Sequence, residues 1–175
     1  MFKMRELEKK DLPEINKWRN DPELISFLGA PFRYINLRVD EEWFENYMRT
    51  RSSNVRCSIV DENDEILGLI SLTGIDQLNR SGELHLMIGR KENRNRGIGS
   101  FAVDEMLHHA FCNLNLNRVE LCSIITNDIS PKLYIKKGFQ KEGIKRQAVY
   151  KDGKYLDMYF YSLLKDEYME MNGNE

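Results

Sequence analysis

Apolar positions along this chain recur in two periods, one suited to strands and one to helices, and together they predict an ordered run of elements. Residues 5–7 read as a short opening strand. Asp11-Leu12-Pro13-Glu14 has the form of a helix start, with an acid to cap, a proline in the first turn and a carboxylate three residues on. That helix carries Ile15 and Trp18 and stops near Asp21-Pro22. Residues 23–39 mix apolar side chains with Gly29 and Pro31, which predicts short helical pieces and a mobile loop. Asp40 then opens a helix with Trp43, Phe44 and Tyr47 on its apolar side.

The remainder is more regular. Residues 55–60 and 66–73 are strands joined by the polar turn Asp61-Glu62-Asn63-Asp64, and residues 82–89 are a third. From residue 98 to 114, Phe101, Ala102, Leu107, Ala110, Phe111 and Leu114 fall at helical spacing. Residues 118–124 alternate as a strand. Ser130-Pro131 starts a short helix that Gly138 closes. Residues 139–150 and 154–164 read as strands around Asp152-Gly153, a hairpin signal, and residues 165–175 as a polar tail. Strand, loop, helix and strand over residues 82–124 imply a right-handed βαβ crossover with two parallel strands, flanked by antiparallel hairpins. The predicted class is α/β (α+β): a mixed, mostly antiparallel sheet with helices against it.

A chain of 175 residues fits a single domain spanning 1–175, with a core of about 3–164. A net charge of −2 gives no reason to expect nucleic acid or an anionic membrane as partner. No apolar run approaches the length of a membrane span, and residues 1–6 lack the apolar stretch of a signal peptide, so a cytoplasmic location is expected. Cys57, Cys112 and Cys122 are odd in number and scattered, and His108 and His109 project about 100° apart on their helix. Neither group suggests a metal site.

The chemistry concentrates in Arg94-Asn95-Arg96-Gly97-Ile98-Gly99, between the strand 82–89 and the helix from residue 98. Glycines at such a turn let main-chain N–H groups approach a ligand, and the helix behind adds unpaired N–H groups and the positive end of its dipole. Arg94 and Arg96 add charge. The pattern suits a diphosphate. It is not a P-loop, since Ser100-Phe101 follows Gly99 where Lys-Ser/Thr would be needed, and the third glycine of the dinucleotide fingerprint is missing.

Arg94-x-x-Gly97-x-Gly99 resembles the acyl-CoA loop of the GNAT N-acetyltransferases. A second stretch, Asn127-Asp128-Ile129-Ser130 followed by Leu133-Tyr134-Ile135-Lys136-Lys137-Gly138-Phe139, is similar to that family's Asn-x-x-Ser/Ala, Leu-Tyr-x-Lys-x-Gly-Phe signature. The resemblance runs over roughly residues 3–164 and implies transfer of an acetyl group from acetyl-CoA, without metal, directly to a primary amine. By that resemblance the main chain from Arg94 through Asn95, Arg96, Gly97, Ile98 and Gly99 to Ser100 clasps the pyrophosphate. Met87 and Ile88 would pair with the pantetheine arm, and Asn127 would contact it or the reacting centre. Tyr134 matches the general acid that protonates the leaving thiolate.

The base is sought on the strand 82–89, where Glu83, His85 and Met87 share one face. Glu83 is placed ahead of His85, because a glutamate there looks like the ribosomal-protein and polyamine acetyltransferases. Trp18-Arg19-Asn20-Asp21-Pro22 and the last third of the chain resemble the RimJ/RimL-like and spermidine-acetyltransferase-like branch, in which dimers are common, so a homodimer is an open expectation. Acceptors in that branch are polyamines, protein N-termini, amino sugars and other small amines. Asp40, Glu41, Glu42 and Glu45 could serve a polyamine, while Arg33 and Arg38 argue mildly against one. The alternative reading is a non-catalytic acyl-CoA-binding sensor.

Overall fold

The computed structural model describes residues 1–173. Among them lie seven strands: β1 (Lys3–Glu6), β2 (Val55–Val60), β3 (Ile66–Asp76), β4 (Ser81–Ile88), β5 (Arg118–Ile124), β6 (Gln140–Lys151) and β7 (Lys154–Leu164). They form one sheet in the order β1-β2-β3-β4-β5-β7-β6, and only the β4–β5 pair is parallel. The expected crossover is therefore present. At the tip of the β6–β7 hairpin, Asp152 and Gly153 both take positive φ, as a tight two-residue turn needs.

Alternation along the strands sends two sets of side chains to opposite faces. Leu72, Leu84, Val119, Leu121, Tyr161 and Leu163 pack on one face against Ile98, Ala102, Val103, Met106 and Phe111 of α4 (Ile98–His108) and the π-turn after it. On the other face Leu69 joins a smaller core with Leu12, Ile15 and Trp18 of α1 (Leu12–Arg19), Leu24 and Ile25 of α2 (Pro22–Ser26), and Tyr47 of α3 (Leu37–Arg49). The short α5 (Ser130–Lys136) lies between β5 and β6 in sequence. No helix of the described residues is long and apolar enough to cross a membrane.

Several capping expectations are corrected. Asp11 does not cap α1. Its buried carboxylate accepts two bonds from Arg5, both at 2.8 Å, one from Ser58 Oγ at 2.7 Å and one from the Glu8 N–H at 3.0 Å. Burial pushes the Asp11 carboxyl pKa up, but Arg5, Ser58 and the Glu8 N–H outweigh it and hold the pKa below its ordinary value. Asp40 does not open α3 either. Asn36 caps that helix, accepting from the Val39 N–H, while Asp40 sits fully buried and accepts from Arg19 at 2.6 Å and Asn16 at 2.7 Å. Ser130 does not cap α5; the side-chain oxygen Oδ1 of Asn127 accepts from the N–H groups of Ile129 and Ser130 instead. The polar tail is a helix, α6 (Lys165–Asn172), with Tyr168 stacked on Phe111 at 5.0 Å between ring centres. Residues 174–175 lie outside the described residues.

Asp11→Asn should destabilise the fold by about 2 kcal/mol at pH 7, because it removes the charged acceptor shared by Arg5, Ser58 and the Glu8 N–H and leaves Arg5 with Asp64 alone as a hydrogen-bonded ion-pair partner. A depressed folded pKa means this stabilisation is complete above the unfolded carboxyl value of about 3.9 and is lost as pH falls through the lower folded one. Urea unfolding of both proteins should show the gap hold from pH 7 to 5 and narrow below about pH 4. A gap that stays constant to pH 2 would deny the ion pair its role.

Candidate active site

β4 and β5 keep company for only three registered pairs, Ser81–Arg118, Gly82–Val119 and Glu83–Glu120. Beyond Glu83, β4 continues along β3 and β5 along β7, so the two strands part and open the sheet at its centre. The Gly89 N–H donates to the Leu67 carbonyl on β3. In an antiparallel ladder such residues alternate, so Met87, His85 and Glu83 also turn their main-chain groups toward β3. Leu86 and Ile88 turn theirs into the opening. The expectation of main-chain pairing at Ile88 fits this geometry; Met87 is replaced in it by Leu86, and contributes its side chain instead.

One cavity, of about 340 Å³, lies on the α4 side of the opening. Arg94, Asn95, Gly97, Gly99 and Ser100 line it, with Leu86, Met87 and Ile88 on a second wall. Asn95 and Gly97 take φ of +60° and +82°, conformations that turn the loop sharply into α4. The Arg94 N–H already donates to the Lys91 carbonyl, so the free series of donors starts one residue later than expected. From Asn95 to Ser100 no N–H donates to a main-chain carbonyl among the described residues, whereas Phe101 N–H closes on Gly97. Arg96 does not line this cavity; its guanidinium turns away to Asn93 Oδ1 at 3.0 Å. Arg94 does line it, stacked 4.9 Å over the Phe27 ring.

A second cavity, of about 590 Å³, opens on the other face of the sheet and contains Glu83, His85 and Tyr134 together. His85 Nε2 lies 2.9 Å from Thr73 Oγ1 and 3.8 Å from Glu83 Oε2. Desolvation by the cavity walls pulls the imidazole pKa below its ordinary value, Glu83 works against this, and Arg56 adds to it. The shift favours the neutral ring. Tyr134, 6 % exposed, packs edge-on to Phe139 at 5.8 Å, and burial pushes its phenol pKa up to about 12. Cys122 also lines this space, but burial raises its thiol pKa and keeps it from being a ready nucleophile. None of Asp40, Glu41, Glu42 and Glu45 lines it. Trp43 and Arg56 do, and neither was singled out as a site residue in the sequence.

The two cavities meet where Phe27, Leu28, Leu86, Met87, Asn127 and Ser130 line both. Asn127 uses its full hydrogen-bonding capacity there. Its amide donates to the Phe27 carbonyl at 3.0 Å and Ser130 Oγ at 2.9 Å while its oxygen caps α5. Lys151, from the far hairpin, donates to the carbonyls of Ile25 and Leu28. The segment after α2 is thus fastened from two sides as a common wall.

Residues 2–140 match the family described as the acetyltransferase (GNAT) domain. An uncharacterized N-acetyltransferase, p20, of Bacillus licheniformis is 33% identical over 94% of this chain and 93% of its own length. The spermidine N(1)-acetyltransferase of Vibrio cholerae is 25% identical over 95% of this chain and 94% of its own. A crystal structure of spermidine N-acetyltransferase from Vibrio cholerae, in complex with CoA and spermine, superposes with a TM-score of 0.88 at 24% identity. It covers 96% of this chain and 98% of that one, and establishes the likeness of fold.

Proposed function

The chain belongs to the GNAT acetyltransferase family, and from that premise we propose that it transfers an acetyl group from acetyl-CoA to a primary amine. The observation that carries this reading is the meeting of the two cavities at the parted strands, with main-chain donors on one side and titratable groups on the other.

The residues present fit acyl-CoA. Consecutive unpaired N–H groups from Asn95 to Ser100, beside Arg94, suit a diphosphate. The outward main-chain groups of Leu86 and Ile88 suit an amide-bearing arm, and the Ile88 or Leu86 N–H can stabilise negative charge on a carbonyl oxygen. Bound acetyl-CoA supplies the acetyl group as a thioester, whose C–S bond breaks as the amine forms the new C–N bond.

On the acceptor side, the geometry favours His85 over Glu83 as the base. Thr73 and Glu83 both lie beside Nε2; in the tautomer protonated there, Nδ1 keeps a lone pair for the proton of the attacking amine, directly or through water. Glu83 then holds the ring and supports the imidazolium that forms. Tyr134, with a pKa of about 12, remains a phenol at any working pH. Complete proton transfer to a thiolate of pKa about 8.5 would be uphill by roughly 5 kcal/mol. Tyr134 is therefore a hydrogen-bond donor to the departing sulfur, and the proton given up by the amine restores the balance. Asn127 acts as a positioning residue at the junction.

Thiol release from acetyl-CoA, measured against a panel of primary amines with mass spectrometry of the product, tests the reading directly. Tight CoA binding without turnover on any amine would instead favour a sensor. Gly97→Val should weaken CoA binding at least ten-fold by calorimetry. The cause is conformational, since φ of +82° suits no β-branched residue although a Cβ there would meet nothing within 4 Å. Unchanged affinity would dissociate the loop from the cofactor.

Tyr134→Phe should lower kcat about 10²-fold and leave CoA affinity within three-fold. A basic limb in the rate profile below pH 10 would not belong to Tyr134 and should persist in the variant. For Glu83→Gln, the sign follows from the removal of a carboxylate that raises the His85 pKa. The acid limb of kcat/KM, corrected for the fraction of free amine, should lie at lower pH in the variant than in the parent. Loss of more than 100-fold at every pH, with no shift of the limb, would make Glu83 the base.

A further inference from the structure

The charge lining the acceptor cavity is of the wrong sign for a polycation. Three arginines, Arg19, Arg33 and Arg56, face a single carboxylate, Glu83. Arg19 is compensated by the buried Asp40, and Arg33 is exposed. Arg56 is different. It comes from β2 and stands in register with Ser71 of β3 and His85 of β4. Two strand spacings place its Cα about 10 Å from that of His85, on the same face.

The Arg56 guanidinium lies 4.8 Å from the Trp43 ring centre, close to Arg19, which is 4.3 Å from the same ring. Its one side-chain acceptor is Ser71 Oγ, at 3.4 Å from Nη1. Its Nε is buried without a partner, and no carboxylate is within ion-pair distance among the described residues. Burial, followed by the like charge of Arg19, pulls its pKa below the ordinary arginine value. A contact with an aromatic face is worth about 0.5–2 kcal/mol, whereas leaving a part-buried cation unpaired costs several. The protein has placed a charge here with no counter-ion and a single side-chain acceptor. A planar guanidinium of this kind matches a carboxylate or a phosphate in two parallel bonds. Arg56 does not line the cavity under the Gly97 loop, so the diphosphate there is not its counter-ion.

We propose that the amine acetylated by this chain is a small molecule carrying its own carboxylate or phosphate, bound by Arg56 while the amino group lies at His85 and Glu83. This rests on the acetyltransferase reading. Arg56 and His85 approach from two strands apart, so amine and anion are separated by only a few bonds. Polyamines are disfavoured by the same geometry, because each added ammonium would approach one of the three guanidiniums.

The test compares kcat/KM at saturating acetyl-CoA within matched pairs: methionine with methioninamide, glucosamine 6-phosphate with glucosamine, and spermidine as the polycation. At least one anionic member should exceed its neutral partner ten-fold or more. For methionine this holds against a bias, because the amide has the lower amine pKa and more free base. Which pair responds separates a carboxylate from a phosphate. Arg56→Met should lower the rate for the preferred anionic amine 30- to 100-fold and shrink its advantage over the neutral partner, and Arg56→Lys should recover part of it. Neutral amines or spermidine used as well as the anionic ones would overturn the inference and leave the acetyltransferase reading standing. No thiol release with any of the five would sink both. The wild-type comparison stands whether or not the variants fold.

Discussion

Everything at the centre of this molecule depends on two parallel strands ceasing to pair after three residues. A parallel pair in mid-sheet ordinarily runs on, because unmet N–H and C=O groups are costly when buried. Here β4 and β5 each have an antiparallel neighbour on the outer side, β3 and β7, which hold them straight while the inner edges separate. The groups left open at Leu86 and Ile88 would be a defect in a purely structural sheet. Facing a cavity, they become a template for an extended, amide-bearing ligand, as an exposed strand edge is for a peptide.

The opening is kept by wedges on both faces. Trp18 of α1 presses on Gly89 so closely that a Cβ added there would fall 2.1 Å from the indole. On the other face α4 begins where the loop leaves β4, its first turn packed on Leu86 and Leu133 through Gly99. Glycine is needed at position 89 for approach and at position 97 for φ. Two glycines eight residues apart thus serve different constraints on the same gap.

This division explains what could be read from the chain and what could not. The order of elements, the crossover and the loop at Gly97 are local: period, turn chemistry and glycine placement carry them. Asp11 and Asp40 were misread because an acid before an apolar run looks the same whether it caps a helix or is buried in an ion pair. Only Arg5 and Ser58 for the first, and Arg19 and Asn16 for the second, decide the matter, and Ser58 lies 47 residues away from Asp11. That Met87 turns its main-chain groups toward β3 was hidden for a similar reason, since which residues of a strand face which neighbour is a matter of register. Trp43 and Arg56 come from α3 and β2, and nothing in either stretch announces that β3 and β4 will bring them beside His85. The helix α6 was missed because its apolar contacts, Tyr168 on Phe111 and Met171 against Gly138, are few in a polar segment.

The donor and acceptor halves of the site share β4 but otherwise draw on different parts of the chain. β4, the loop and α4 form a continuous run from residue 81 to 108 that holds the first of the two family motifs. The acceptor half is assembled from residues 19–43, from β2, and from one end of the last hairpin through Met158. Phe27 and Leu28 are the seam, held by Asn127, Lys151 and the stacking of Arg94. Changes of charge within residues 19–43 or at Arg56 can alter the amine without disturbing the loop, since none of those arginines touches the cavity under Gly97. A chain can therefore share its fold along nearly its whole length with a protein crystallised with spermine and still line this cavity with three guanidinium groups and one carboxylate. Likeness over the donor half speaks for the reaction, and the sign of the charge across the seam speaks for the substrate.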